Sequence, residues 1–151
     1  MDGYGLIKYI HVLAAIVWVG GAFTLQLLAI RVSRSDDPGD LPRFGAWAEA
    51  VGSRAFLPAS LILFVAGLIM VVQRWAFSDL WVSISMLLWI LSALTGALYL
   101  GPRSKKVGEL FAVEGPTSVA ARAGMARLFV VSRLELVSFA IIVFLMVVKP
   151  A

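Results

Sequence analysis

The sequence predicts an all-α protein, a four-helix antiparallel transmembrane bundle, and three observations carry that. Of its 151 residues, 61% are hydrophobic and only 15% charged, outside the range of domains that fold in water. Four apolar runs, at about 6–32, 56–72, 80–100 and 128–148, have the length needed to cross a bilayer, which takes roughly 20 residues. Nothing alternates apolar and polar with the period of two that a barrel strand requires. The chain therefore reads as one integral membrane domain with helices at about 4–33, 41–74, 79–114 and 118–149.

The first apolar run starts almost at Met1, is too long for the core of a signal peptide and has no basic segment before it. It is expected to stay as the first helix, running past Gln26 into Arg31 and Arg34, which can snorkel to headgroups. Ser35-Asp36-Asp37-Pro38-Gly39-Asp40 is dense in turn residues and breaks it. Asp40 before Leu41-Pro42 looks like a helix start, with proline tolerated in the first turn. Phe44, Trp47, Ala48, Val51 and Ala55 then keep helical spacing, so the second helix begins outside the bilayer, and Pro58 is expected to bend it.

Arg74 to Ser78 reads as a short turn, with Ser78 or Asp79 capping the third helix. Trp75, Trp81 and Tyr4 supply an aromatic belt at that interface. Ala93, Ala97 and Gly101 form a small-residue stripe on the third helix, suited to close approach of a neighbour. Gly101-Pro102 marks a bend rather than an end, because good helix formers follow to Glu114. Gly115-Pro116-Thr117-Ser118 is a tight reversal, with Thr117 or Ser118 capping the fourth helix.

The net charge of +4 reports topology rather than nucleic-acid binding. Arg31, Arg34, Arg43 and Arg54 lie between the first two apolar runs, and Arg103, Lys105, Lys106, Arg122 and Arg127 between the last two. The other side holds only Lys8, Arg74 and Lys149, so the positive-inside rule places both long loops in the cytoplasm and both termini outside. Contact with the lipid bilayer follows, and the cytoplasmic faces around Trp47 and Phe111 are candidates for burial against each other or in a homo-oligomer.

With no cysteine, disulfides, iron–sulfur clusters and thiolate sites are excluded, leaving His, Met, carboxylate, Tyr or Lys as ligands. His11, the single histidine, lies in the first apolar run, where an imidazole is costly and marks a functional-site hypothesis. Counting a rise of about 1.5 Å per residue puts it roughly 7 Å below the hydrocarbon surface, with Met70, Met86 and Met146 at similar depth on the other three helices. That set suits haem iron, held by His with Met or an open position opposite, or Cu(I). Methionine is also the commonest filler of apolar gaps, so the depth match by itself is compatible with packing alone.

Ala15, Trp18 and Ala22 share the His11 face, leaving room for a flat macrocycle on which Trp18 packs; Gly20 and Gly21 permit close approach. Lys8, Arg74 and Lys149 put positive charge at the rim, where haem propionates would sit or where headgroups anchor. Arg133 and Glu135, inside the fourth apolar run, are a second anomaly. Two residues apart, they face different ways, and Glu135, with Gln26, Thr24 or Thr95 as neighbours, is a candidate proton carrier or polar contact between helices.

Lys8-x-x-His11 followed by Trp18-x-x-Gly21 resembles the opening of the HemJ-type protoporphyrinogen oxidases, four-helix bacterial membrane proteins. Leu57-Pro58 followed by Gly67 resembles their second helix, and the membrane domain of copper resistance D proteins is similar in the same first-helix pattern. The close Met146-Val147-Val148-Lys149-Pro150 resembles that of small integral membrane proteins of unknown function, the better match. The resemblance implies haem b bound through His11. The HemJ-type lysine that follows a tryptophan on the third helix has no counterpart in Trp81-Val82-Ser83-Ile84-Ser85-Met86, so it does not imply protoporphyrinogen oxidation.

The expected function is a haem b membrane protein in electron transfer or a HemJ-like oxidation, with His11 as axial ligand and Met86, Met70 or Met146 opposite. The alternatives are copper binding or transport by the same residues, and a non-redox transporter or structural subunit in which His11 and Glu135 relay protons or hold the bundle.

Overall fold

The structure is a computed structural model and describes residues 2–150. Four helices are long and apolar enough to cross a membrane: α1 (Gly3–Ser33), α2 (Asp40–Arg74), α3 (Leu80–Glu114) and α4 (Val119–Val148). There is no strand among the described residues.

Each helix starts and stops for a local reason. Asp2 caps α1, accepting the Gly5 N–H at 2.9 Å. Ser118 caps α4 through the Ala121 N–H at 3.2 Å, so of the two expected caps the serine is used. Gly115 ends α3 at φ +87°, a conformation that glycine adopts without steric cost. Asp79 stands at the start of α3, but its carboxylate accepts the Ala76 N–H at 3.0 Å and so braces the turn instead of capping the helix. At the other loop, Ser35, Asp37, Asp40 and Arg43 close on one another: Asp37 accepts the Gly39 N–H at 2.8 Å and pairs with Arg43 at 2.9 Å.

Three helices widen into π-type turns, at Ile16–Gly20, Gly52–Phe56 and Thr95–Leu100. The last two run up to Pro58 and Pro102. A proline has no N–H for the carbonyl four residues earlier, here those of Arg54 and Leu98, and the wider turn is how the helix passes that gap. The expected bends at Pro58 and Gly101-Pro102 thus take the form of local unwinding within continuous helices.

α1 packs along α2 and α3 along α4, with α2 and α3 touching mainly at the end away from the termini. Three apolar clusters are stacked along the bundle. Val71, Trp81, Val82 and Leu145 fill the end that holds the termini; Ala14, Trp18, Ala59, Leu63 and Phe139 fill the middle; Ala29, Leu41, Val107, Phe111, Met125 and Phe129 belong to the far end. Cation–aromatic contacts tie the terminal end together: Arg74 lies 4.0 Å from the Tyr4 ring, and Lys149 4.1 Å from Trp75. Val72 and Val147, 74% and 76% exposed, belong to the apolar surface a bilayer would cover.

One expectation fails: Ala97 and Gly101 are exposed and Ala93 only half-buried, so the stripe on α3 is not a seam within this bundle. Of the faces around Trp47 and Phe111, the Phe111 face of α3 packs with Leu41 and Phe44 of α2, so these two helices bury against each other there, while Trp47 itself is 75% exposed.

Candidate functional site

Among the described residues, His11 is the one side chain of α1 that hydrogen-bonds to another helix inside the apolar span. Its Nδ1 stands 2.9 Å from the carbonyl oxygen of Leu63 on α2, 52 residues away in sequence. A carbonyl can only accept, so the contact calls for a proton on Nδ1, and in the neutral ring Nε2 then keeps its lone pair. The ring fits because α2 has a glycine one turn on: a Cβ at Gly67 would stand 3.2 Å from His11 Cε1 and 3.5 Å from Nδ1. An imidazole without a partner in hydrocarbon costs a few kcal/mol, and the Leu63 carbonyl removes much of that.

Below His11 the face expected to receive a ring is filled by protein. Trp18 is buried with its ring centroid 4.1 Å from that of Phe139, and Ala15 packs against the same cluster. Gly21 does admit a ring, that of Phe56, whose Cε1 lies 2.5 Å from where a Cβ would be. Nothing lies within 4 Å of a Cβ at Gly20.

The methionines do not form one set. Met86 and Met146 pack on the Val71, Trp81, Val82 and Leu145 cluster, while Met70 is half-buried and belongs to none of the three clusters. Of the cations at the terminal end, Arg74 is engaged by Tyr4 and by Asp2 at 3.9 Å, and Lys149 by Trp75. Lys8, one turn from His11, is exposed and outside the ion pairs found among the described residues.

Arg133 is exposed and Glu135 half-buried, and neither enters an ion pair among the described residues. Thr24 and Thr95 give their hydroxyls to carbonyls of their own helices, Gly20 and Leu91, each at 2.9 Å, so neither serves Glu135. Gln26 is buried with both amide atoms unpaired, and the Ser85 hydroxyl likewise.

Sequence reasoning missed the second polar tie. Trp89 on α3 donates its Nε1–H to Ser60 Oγ on α2 at 3.1 Å and stacks on Phe64 at 4.0 Å. The available signal was Ser60 itself, the lone hydrogen-bonding side chain between Phe56 and Val72.

Tested against haem, the donor chemistry of His11 would suit a ligand to the iron, because a ligating imidazole characteristically donates its other N–H to a carbonyl or carboxylate. No group of three or more His, Cys, Asp or Glu side chains comes together among the described residues. No curated protein and no solved structure matches the chain, so the HemJ-type and copper resistance D resemblances stand on the quoted residues alone. A family described as predicted integral membrane protein (DUF2269) matches residues 5–150. Nearly the whole chain, His11 and all of the four helices but the first two residues of α1 included, falls within that match, and the protein belongs to this family of integral membrane proteins.

Proposed function

We propose that the protein binds haem b through Nε2 of His11 and serves electron transfer in the membrane. The observation that carries this reading is the His11–Leu63 hydrogen bond, which fixes the one tautomer able to ligate through Nε2. Haem b supplies a one-electron couple when bound. The chain's own groups would then act in three ways. Leu63 orients the imidazole, Gly67 leaves the ring its space, and exposed Lys8 offers a cation one turn away for a carboxylate. Met86 and Met146 pack in one cluster that Met70 does not join, so the three would not hold the group as one set. The positive-inside reading supports the outer half of the membrane for this site, and the resemblance to bacterial membrane proteins supports a bacterial inner membrane. The reading favours electron transfer over a HemJ-like oxidation because α3 lacks the lysine that chemistry is associated with.

The test is the absorption spectrum of full-length protein extracted from haem-replete cells. A Soret band that disappears in His11→Ala and persists in Lys8→Gln is expected. A colourless preparation, or a band unchanged in His11→Ala, overturns the proposal.

A further inference from the structure

At the end of the bundle away from the termini, α3 and α4 part to leave a groove of ≈ 260 Å³. Its charge is one-sided. Arg103, Lys106 and Arg127 line it with Tyr99, and no acidic side chain does. None of the three cations joins the ion pairs found among the described residues, which belong to Arg43 and Arg74. Arg103 lies 5.5 Å from the centroid of Tyr99. The helices meet beneath, where a Cβ at Gly124 would come within 2.6 Å of Val107 Cγ2.

Like charges gathered in one recess repel, and an anion between them converts that repulsion into attraction. Depth identifies the anion. Leu128, at the edge of the groove, is 20 residues before Val148 on the same helix, roughly 30 Å along the axis and so about one hydrocarbon thickness. The groove therefore lies where headgroups lie when the opposite end of α4 is at the other interface. Leu134, seven residues on from Arg127 and so on the same face of α4, is 65% exposed and continues the seam as apolar surface toward the membrane centre. A phosphate in the groove with an acyl chain along that face matches both halves. We propose that this groove binds the phosphate headgroup of an anionic phospholipid.

The proposal is independent of any cofactor at His11. The test uses full-length protein in mild detergent, with native mass spectrometry reading the affinity for added lipid. Each Lys or Arg near a phosphate is worth roughly a factor of five, so phosphatidylglycerol should bind on the order of 100-fold more tightly than phosphatidylcholine. Arg127→Gln should cost roughly fivefold of that preference, and Arg31→Gln, outside the groove, should leave it unchanged. Ala123→Phe, which fills the groove without altering its charge, should abolish it. Equal binding of the two lipids, a preference surviving Ala123→Phe, or competition by inorganic phosphate as effective as by the lipid would overturn the proposal.

Discussion

Because His11 is the only histidine, its imidazole signals need no assignment, and the contact with Leu63 commits the neutral ring to one tautomer. Nδ1 faces the Leu63 carbonyl at 2.9 Å, so removing its proton would set a nitrogen lone pair against an oxygen lone pair. In apolar surroundings a hydrogen bond is worth about 4 kcal/mol or more against no interaction, which at 1.4 kcal/mol per decade favours the Nδ1–H form several hundredfold. Long-range ¹⁵N–¹H correlation on the ring-labelled, cofactor-free protein should therefore show a proton on Nδ1. Gly67 sets the tolerance. Gly67→Ala brings a methyl to 3.2 Å from Cε1, a shortfall of a few tenths of an ångström that a small ring shift absorbs. The gain in helix propensity, about 1 kcal/mol, offsets it, and the spectrum should be unchanged. Gly67→Leu adds a whole side chain where the ring lies; overpacking of about 1–3 kcal/mol should displace the imidazole and mix the tautomers. A wild-type spectrum with no proton on Nδ1, or a Gly67→Leu spectrum identical to wild type, refutes the reasoning.

Two further outcomes follow from single contacts. Ser60→Ala leaves the Trp89 Nε1–H without its partner, and denaturation in detergent should show a loss of about 1–3 kcal/mol; Trp89→Phe also loses stacking on Phe64, so the bond is read from the double variant, whose loss should fall short of the sum of the two by about 1 kcal/mol, and additive losses would argue against it. The Asp37 carboxyl, in the loop outside the spans, is held below its ordinary value first by the Gly39 N–H and then by Arg43. A depressed folded value means the loop contacts are fully present above the ordinary carboxylate range and are lost only as pH falls below about 4, through the lowered value. Arg43→Ala should raise the Asp37 titration part of the way, as followed by carboxyl NMR, and a complete return to the ordinary value would show that Gly39 contributes nothing.

The fold class was legible because lipid imposes it: a spanning chain must satisfy its backbone internally, and apolar runs of this length leave helices as the answer. Proline positions announced the bends, though not that they would appear as π-type turns. Which faces meet was much less legible. Ala93, Ala97 and Gly101 have the spacing of a helix seam, yet the glycines actually pressed against side chains of neighbouring helices are Gly21 under Phe56, Gly45 under Met125, Gly67 under His11 and Gly124 under Val107. Spacing identifies a face but not its partner, because in lipid a small-residue face and a large apolar face are equally soluble. The depth match of the three methionines had the same weakness. Depth is one coordinate and says nothing of rotation about the helix axis, and Met70 falls outside the cluster that Met86 and Met146 share.

The polar ties explain why α2 is the helix the others register on. The hydroxyls of Thr24, Ser33 and Thr95 turn to carbonyls of their own helices. Among the described residues the side chains that donate a hydrogen bond to another helix inside the spans are His11 and Trp89, and both reach α2 within one turn, at Leu63 and Ser60. Dispersion between apolar helices changes little on sliding, whereas a hydrogen bond in hydrocarbon is lost outright when its partner moves by one residue. One short stretch of α2 therefore fixes α1 on one side and α3 on the other, while Trp18 against Phe139 brings in α4. This separates two roles of His11 that a single substitution would confuse. His11→Ala removes both the tie and the ligand; Ser60→Ala removes only a tie. If the Soret band is lost in His11→Ala but kept in Ser60→Ala at comparable loss of stability, the imidazole is needed as a ligand and not merely to hold α1 in register.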